Sequence, residues 1–312
     1  MFSKINRRND HDYLEPMSAE RFIEKLSSLN AIAILKQEHA DILASVQCDT
    51  TVGIGYETNE AQTGNSLFFF LRNCLPTYGQ ADSSETPQYD DSYYFIDGYK
   101  QKQKFICCKN PNEDEIDYFW QKIWNENVKI IVTFSITSSD VTSVRYLKLQ
   151  NNSEVMYKEF CITVAGINIS DSRVMTILHL KNQNNLIREV QCFCYTHWSR
   201  DELCYDVKSI IKFTSDINEV NTNFEALQSA EKSDKYSPIL IHCSDGLNRS
   251  ASFCLLDISI SIFEKFGTVC FPRLLKQFQH QKIGCIDDVF YYIFCNYVLY
   301  SYILSKMNKI RK

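Results

Sequence analysis

The stretch of residues 239–254, ILIHCSDGLNRSASFC, constrains the fold of this 312-residue chain more than any other segment. It holds a short apolar strand, a cysteine, five further residues, an arginine followed by a serine, and an apolar run of helical character. A loop between a buried strand and a helix directs its backbone N–H groups and the positive end of the helix dipole at one point. The spacing therefore predicts an anion-binding loop over residues 242–249, with a thiol at its centre.

Several side chains of this loop are candidates for phosphate chemistry. Cys243 is the predicted nucleophile, because a cradle that binds anions also stabilises a thiolate. Arg249 offers a planar fork for two phosphate oxygens, and Ser250 can donate to the sulfur and support the leaving thiolate. We expect His242 to hold the loop by hydrogen bonds rather than to act as a base. The predicted phosphate-binding loop comprises His242, Cys243, Ser244, Asp245, Gly246, Leu247, Asn248 and Arg249.

The signature HCxxGxxR[ST] resembles that of cysteine-based protein tyrosine phosphatases, and further landmarks of that family follow in the same order. Residues 96–111 are similar to its IDGY…YIxTQGP segment, and residues 118–134 resemble its DFWxMIWExxxxxIVML helix–strand unit. Residues 195–201, YTHWSRD, stand where the mobile WPD loop lies, and residues 273–298 resemble the terminal helices. The resemblance covers roughly residues 65–304. It implies an α/β fold with one tyrosine-phosphatase domain, in which helices flank a central twisted mixed sheet, and an N-terminal helical extension.

Turn-forming and helix-capping residues along the chain predict where the helices, strands and loops lie. We expect a polar arm over residues 1–17 and the phosphatase-like domain over 18–312. Ser18 is the predicted N-cap of a first helix, and a second helix is predicted over residues 31–43, followed by a surface loop over 49–65. A further loop is predicted over 77–92, strands over 129–136, 157–167, 173–181 and 187–196, and helices over 206–231, 250–266, 272–282 and 286–306.

The segment that should supply the general acid departs from the family. In the family, the WPD aspartate protonates the leaving tyrosine oxygen, whereas here Trp198 is followed by Ser199 and Arg200. An arginine keeps its proton at any accessible pH. Asp201, one residue further on, is the alternative candidate for the acid. Because loss of the general acid costs roughly 10²–10⁴ in rate, this departure predicts weak or absent turnover.

The loop and three supporting positions depart as well. Asp245 and Asn248 replace small residues of the family, and a carboxylate about 5 Å from a thiolate repels it by on the order of 3 kcal/mol at an effective dielectric near 20. In the alternative orientation Asp245 points outward to a lysine, which would shrink that effect. Cys285 and Val289 align with the two glutamines that orient the hydrolytic water, and Leu75 with the tyrosine that clamps the substrate.

Composition narrows the class of partner. A net charge of −5 and a pI near 5.7 argue against nucleic acid as a partner, and no apolar run is long enough to span a bilayer. Thirteen cysteines and a start, MFSKINRRND, without signal-peptide character favour a reducing, cytoplasmic location. The cysteine pairs at 107–108 and 192–194 lack a second pair at zinc spacing, so we expect no metal and no cofactor.

Two functions remain open. One is a pseudophosphatase that binds phosphotyrosine proteins without turning them over, which the departures at Arg200, Asp245 and Cys285 favour. The other is an active tyrosine phosphatase that forms a cysteinyl-phosphate on Cys243. A lipid or RNA-triphosphate phosphatase is disfavoured, because those substrates need a basic cradle. The pattern of losses also resembles the tyrosine phosphatase-like proteins of polydnaviruses (bracoviruses), which mix active and inactive copies. That resemblance implies a virulence factor in host cytoplasm, acting against immune-cell signalling.

Overall fold

The computed structural model describes residues 15–55, 92–99, 101–134, 152–198, 206–230 and 236–310. The chain packs as two compact units, one within Ser92–Asp257 and one that combines the described residues before position 92 with those after position 257. The predicted arm up to residue 14, the predicted loops over 56–65 and 77–91, and Leu75 lie outside the described residues. The domain boundaries at 1–17 and 18–312 stay a prediction.

The described residues form ten strands and seven α-helices, and helices stand before and after the run of strands from β4 to β8. The strands are β1 Met17–Ser18, β2 Tyr93–Gly98, β3 Gln101–Lys109, β4 Ile130–Phe134, β5 Glu154–Tyr157, β6 Phe160–Ser170, β7 Arg173–Asn182, β8 Ile187–Tyr195, β9 Ile239–Cys243 and β10 Thr268–Val269. The helices are α1 Ala19–Ser27, α2 Ala31–Gly55, α3 Ile116–Asn125, α4 Val207–Ala230, α5 Arg249–Phe266, α6 Phe271–Gln281 and α7 Val289–Ile310.

An eight-stranded mixed sheet forms the centre of the 92–257 unit. Its strand order is β2-β3-β9-β4-β8-β7-β6-β5. The four strands β3, β9, β4 and β8 are mutually parallel, whereas the remaining pairs are antiparallel. β9 has a parallel neighbour on each side, and all five of its residues are buried. An apolar strand at this place therefore delivers the loop that follows it from the middle of the sheet.

Helices cover both faces of this sheet, as the family resemblance implied. On one face, α3 packs Phe119 and Trp120 into a buried cluster that includes Ile131 and Leu240. On the other face, Phe213 of α4 lies 6.1 Å from Phe253 of α5 between ring centroids. Side chains of a strand alternate between faces and both faces are covered here, which explains why β4 and β9 each begin with three successive apolar residues. Four cysteines of β3 and β8 fit this pattern as buried side chains, namely Cys107, Cys108, Cys192 and Cys194.

The second unit contains α1, α2, α6 and α7. Ser18 caps α1, as predicted, by accepting a hydrogen bond from Arg21 N–H at 3.3 Å. β1 and β10 pair antiparallel, with Met17 opposite Val269. The buried carboxylate of Glu38 accepts hydrogen bonds from Lys25 Nζ at 2.6 Å and from Tyr292 Oη at 2.5 Å. Residues before and after the sheet domain thus build this unit together.

Most predicted elements are confirmed, and one loop is corrected. The strands predicted over 129–136, 157–167, 173–181 and 187–196 correspond to β4, β6, β7 and β8, and the four later helices are also present. The prediction of a surface loop from residue 49 is wrong for residues 49–55, because α2 continues to Gly55. Threonine and glycine weaken a helix by only about 1 kcal/mol or less per residue, so a long helix can continue through such residues.

Candidate active site

β9 and α5 place the predicted nucleophile and the predicted phosphate-binding arginine at the two ends of one loop. β9 ends at Cys243 and α5 begins at Arg249, and both side chains are buried. The carbonyl of Cys243 accepts from Asn110 N–H at 2.8 Å, and the carbonyl of Asn248 accepts from Ser252 N–H at 2.9 Å. The loop is therefore anchored to β3 at its start and to the first turn of α5 at its end.

Gly246 allows the loop to pass close to the end of β3. Its φ is +74°, and a Cβ atom at this position would lie 2.6 Å from the backbone of Cys108 and of Lys109. The Gly246 carbonyl accepts a hydrogen bond from Tyr94 Oη at 2.6 Å. Both the left-handed backbone and the close approach exclude a side chain here, which explains the glycine of the signature.

His242 supports the start of the loop through hydrogen bonds, and its imidazole ring is neutral. Its Nδ1 lies 2.7 Å from Asn110 Oδ1 and 3.3 Å from Thr133 Oγ1. Because an amide oxygen only accepts, this arrangement assigns the proton to Nδ1. Phe119 packs edge-on against the ring at 5.7 Å. Complete burial lowers the pKa of His242 to about 3, so the ring carries no charge near neutral pH.

The carboxylate of Asp245 points into the loop rather than outward to a lysine. Its Oδ1 lies 3.2 Å from Cys243 Sγ, which donates to it as a thiol, and also accepts from the N–H groups of Leu247 at 2.8 Å and Asn248 at 3.1 Å. Its Oδ2 accepts from Asn248 Nδ2 at 3.1 Å. Aspartate commonly accepts from N–H groups two and three residues ahead, and this Asx-type tendency is the sequence signal for the inward orientation.

This contact opposes ionisation of the thiol. Burial and, after it, the negative charge of Asp245 raise the pKa of Cys243 to about 11, although Ser250 Oγ donates to the sulfur at 3.0 Å and acts in the opposite direction. For Asp245, burial alone would raise the pKa, but the hydrogen bonds from Leu247 and Asn248 outweigh it and lower the pKa below its ordinary value. The pair therefore consists of an ionised carboxylate and a neutral thiol at neutral pH.

Arg249 lies at the other end of the loop as a buried cation. Its guanidinium donates to the Trp198 carbonyl at 3.2 Å and to Ser244 Oγ at 2.9 Å. Within the described ranges these acceptors are neutral, and the arginine forms no ion pair there. Burial of a cation beside neutral groups favours the binding of an anion, which would supply a countercharge.

The roles predicted for the remaining site residues stay predictions. Ser199, Arg200 and Asp201 fall outside the described residues, so the general-acid assignment stays a prediction. Cys285 and Val289 belong to the second unit, where Cys285 is fully buried and Val289 begins α7.

Three supports of the loop have no local signal in the sequence. Tyr94, Asn110 and Thr133 contact the loop or His242 from positions more than 100 residues away in the chain. The strand order brings them there, because β3 and β4 both neighbour β9 and β2 neighbours β3. They form a supporting shell that holds the loop in place from the side of the sheet.

A buried cysteine, a serine that donates to it and an arginine, all on one strand–loop–helix, define the architecture of a cysteine-dependent phosphatase. The family model for protein-tyrosine phosphatase matches residues 80–301 of the chain. The chain belongs to the protein-tyrosine phosphatase family.

Its relatives include proteins of a polydnavirus. The chain is 29% identical over 310 residues to the probable tyrosine phosphatase protein J4 of Microplitis demolitor bracovirus, with 99% of each chain covered. It is 26% identical over 294 residues to the tyrosine phosphatase-like protein J1 of the same virus, covering 92% of this chain and 96% of that protein. It is 28% identical over 222 residues to the tyrosine phosphatase H2, covering 70% and 68%. Throughout the described part of the chain, no helix has the length and apolar content needed to cross a membrane.

Proposed function

We propose that this chain captures phosphotyrosine-bearing proteins at the loop 243–249 and turns them over slowly or not at all. The observation that carries this proposal is the Asp245 carboxylate 3.2 Å from Cys243 Sγ. Attack on phosphorus needs a thiolate. With the pKa of Cys243 at about 11, only on the order of one thiol in 10⁴ is ionised at pH 7.

The rest of the loop supports retained binding. Arg249 is buried with neutral acceptors in the described residues, and α5 begins at this arginine, so its N-terminal dipole also favours an anion. Tyr94 and Asn110 fix the loop backbone from β2 and the end of β3. A loop that had lost binding altogether would not need these supports. Asp245 opposes ionisation of the thiol, whereas the described residues keep the arginine, the helix N-terminus and the backbone supports of an anion-binding loop.

The biological setting of the proposal comes from the relatives. They are tyrosine phosphatase and tyrosine phosphatase-like proteins of a bracovirus. We infer that this chain acts as a virulence factor in the cytoplasm of cells of an infected insect host. There it occupies phosphotyrosine sites of signalling proteins in immune cells, and thereby competes with the host's own binding domains and phosphatases. No cofactor or metal enters this proposal.

An active tyrosine phosphatase is the second candidate. Ser250 Oγ donates to Cys243 Sγ at 3.0 Å, which is the contact that would stabilise a leaving thiolate after a cysteinyl-phosphate intermediate. Asp201 would then serve as the acid. Two of the three relatives described above are named as a tyrosine phosphatase or a probable one. This candidate requires the Cys243 thiol to ionise when substrate enters, against the burial that raises its pKa.

Hydrolysis of a small aryl phosphate distinguishes the two candidates. Wild type is compared with Cys243→Ser and with the double variant Arg200→Asp/Asp245→Ala. We expect a silent wild type and a double variant with measurable turnover, since one change restores an acid and the other removes the charge beside the thiol. Turnover by wild type that disappears in Cys243→Ser would instead establish the active enzyme with Cys243 as its nucleophile.

Binding is tested separately by calorimetry with a phosphotyrosine peptide and its unphosphorylated twin. We expect wild type and Cys243→Ser to bind only the phosphorylated peptide. Arg249→Ala, which removes the buried cation, should lose at least about tenfold in affinity. Absence of binding by both wild type and Cys243→Ser would refute the proposed capture function.

A further inference from the structure

The Asp245 oxygen that contacts the thiol also uses backbone N–H groups of the anion-binding loop. Oδ1 lies 3.2 Å from Cys243 Sγ and accepts from two successive backbone N–H groups of the loop, those of Leu247 and Asn248. An anion-binding loop works by directing such N–H groups at an oxygen of its ligand. Two donors that an incoming phosphoryl group needs are therefore already used within the loop.

We propose that Asp245 and Asn248 form an affinity-determining pair, in which the Asp245 carboxylate competes with phosphate for the N–H groups of the loop and Asn248 holds it there. This inference deepens the proposed function and rests on it for the nature of the ligand. It assigns to the pair a role in ligand binding that is separate from the ionisation of the thiol.

Asn248 contributes to this state through two donors. Its backbone N–H donates to Oδ1 at 3.1 Å, and its side-chain Nδ2 donates to Oδ2 at 3.1 Å. Each carboxylate oxygen of Asp245 is thus held by Asn248. The Asn248 Oδ1 atom is buried and has no hydrogen-bond partner in the described residues. The hydrogen bond from Nδ2 to Asp245 Oδ2 therefore orients the Asn248 amide, and the two side chains act as a unit.

The negative charge of Asp245 also opposes phosphate binding in the loop. Asp245 forms no ion pair with any lysine or arginine of the described ranges, so the hydrogen bonds of the loop are what stabilise its carboxylate. A phosphate dianion that entered beside an ionised Asp245 would meet both repulsion and used donors. Binding therefore requires the Asp245 side chain to rotate out of the loop. The wild-type loop then binds oxyanions more weakly than its frame allows.

The test uses tungstate, an inorganic oxyanion of phosphate-like shape, titrated into the full chain by calorimetry. Asp245→Ala should bind tungstate at least about tenfold more tightly than wild type, because it removes the charge and releases two charge-assisted N–H donors. Asn248→Gly should give a smaller gain of about threefold, since the carboxylate remains but loses a holding group. Asp245→Asn should fall between wild type and Asp245→Ala, because its amide oxygen can still accept from the same N–H groups.

A matched control and defined contrary results make the test decisive. Glu159→Gln removes an exposed carboxylate from the turn between β5 and β6 at the far side of the sheet, and should leave the affinity unchanged. An Asp245→Ala affinity within about twofold of wild type would overturn the inference. Equal gains in Asp245→Asn and Asp245→Ala would also overturn it, since charge alone would then explain the effect. If Asp245→Ala does not fold, Asn248→Gly decides, and no gain there overturns the inference.

The same variants separate this inference from the proposed function. If Asp245→Ala binds tungstate more tightly while no variant binds the phosphotyrosine peptide, the pair acts as inferred and the capture function fails. If wild type binds the peptide and Asp245→Ala binds tungstate and peptide no better, the capture function stands and the competition fails.

Discussion

Replacement of Asp245 by alanine should make the Cys243 thiol more acidic, and this prediction follows from a single contact. In wild type the thiol donates to Asp245 Oδ1 at 3.2 Å, and its pKa is raised from 9.0 to about 11. Burial contributes most to that rise, and the Asp245 charge contributes next. Alanine removes the charge and the acceptor, but it leaves Ser250 Oγ as a donor to the sulfur at 3.0 Å.

The size of the effect follows from electrostatics. Two unit charges about 4 Å apart interact by about 4 kcal/mol at an effective dielectric of 20, and the hydrogen bonds that Asp245 accepts reduce this further. We therefore expect the thiol pKa to fall by about two units. At neutral pH the thiolate fraction would rise about a hundredfold. Because a more acidic thiolate is a weaker nucleophile, the rate of alkylation should rise by about tenfold rather than a hundredfold.

The assay follows alkylation of Cys243 itself by iodoacetamide as a function of pH. Mass spectrometry of the peptide that carries Cys243 separates this thiol from the other twelve of the chain's 13 cysteines. The pH midpoint should be about two units lower in Asp245→Ala than in wild type, and unchanged in Glu159→Gln. Equal midpoints and equal rates in wild type and Asp245→Ala would refute the role of the carboxylate in suppressing ionisation.

Three further predictions concern the frame of the loop. Gly246→Ala should lower the free energy of unfolding measured in urea by about 2–4 kcal/mol, because a Cβ atom there meets backbone atoms. The control Gly267→Ala has a similar positive φ but open space around the Cβ position, and should lower it by only about 1 kcal/mol. Lys104→Met should lower the free energy of unfolding by about 3–5 kcal/mol, because Asp257 stays buried without the ammonium group that lies 2.6 Å away. In thermal unfolding, the double variant Lys104→Met/Asp257→Leu should recover part of that loss. The pKa of His242 is lowered to about 3 in the folded protein, so its contribution to the free energy of unfolding is complete above the unfolded pKa of about 6.5 and falls as the pH decreases below it. The loss is about 2 kcal/mol by pH 5. Unfolding curves of His242→Asn should lack this dependence of stability on pH.

The strand–loop–helix was predictable because its signals are local. The apolar run before Cys243, the spacing to Arg249 and the helical run after it are each readable within residues 239–254, and β9 and α5 occupy those positions. The supports from Tyr94 and Thr133 were not predictable, since they depend on which strands neighbour β9. Spacing along the chain identifies the loop, whereas sheet order decides what holds it.

The orientation of Asp245 was left open for a different reason. A carboxylate at this position has two plausible partners, a lysine in solvent or the N–H groups of its own loop, and the sequence supplies both kinds. The turn decides between them, because the backbone after Gly246 presents the N–H groups of Leu247 and Asn248 to one oxygen. Solvent screening makes a surface ion pair worth about 0–1 kcal/mol, whereas hydrogen bonds to a charged acceptor are worth about 1.5–3 kcal/mol. The inward orientation is therefore the stronger alternative.

The departures of this chain from its family act at two separable levels. The predicted exchange of the family's acid for Arg200 would affect only proton transfer to the leaving group, so a substrate with a good leaving group would bypass it. Asp245 acts earlier, on the ionisation of Cys243 and on the N–H groups that receive the phosphate. An aryl phosphate with an acidic leaving group should consequently be hydrolysed by Asp245→Ala but hardly by Arg200→Asp alone. If Arg200→Asp alone restored turnover, the carboxylate in the loop would not be the element that limits chemistry, and the thiol would have to ionise beside it.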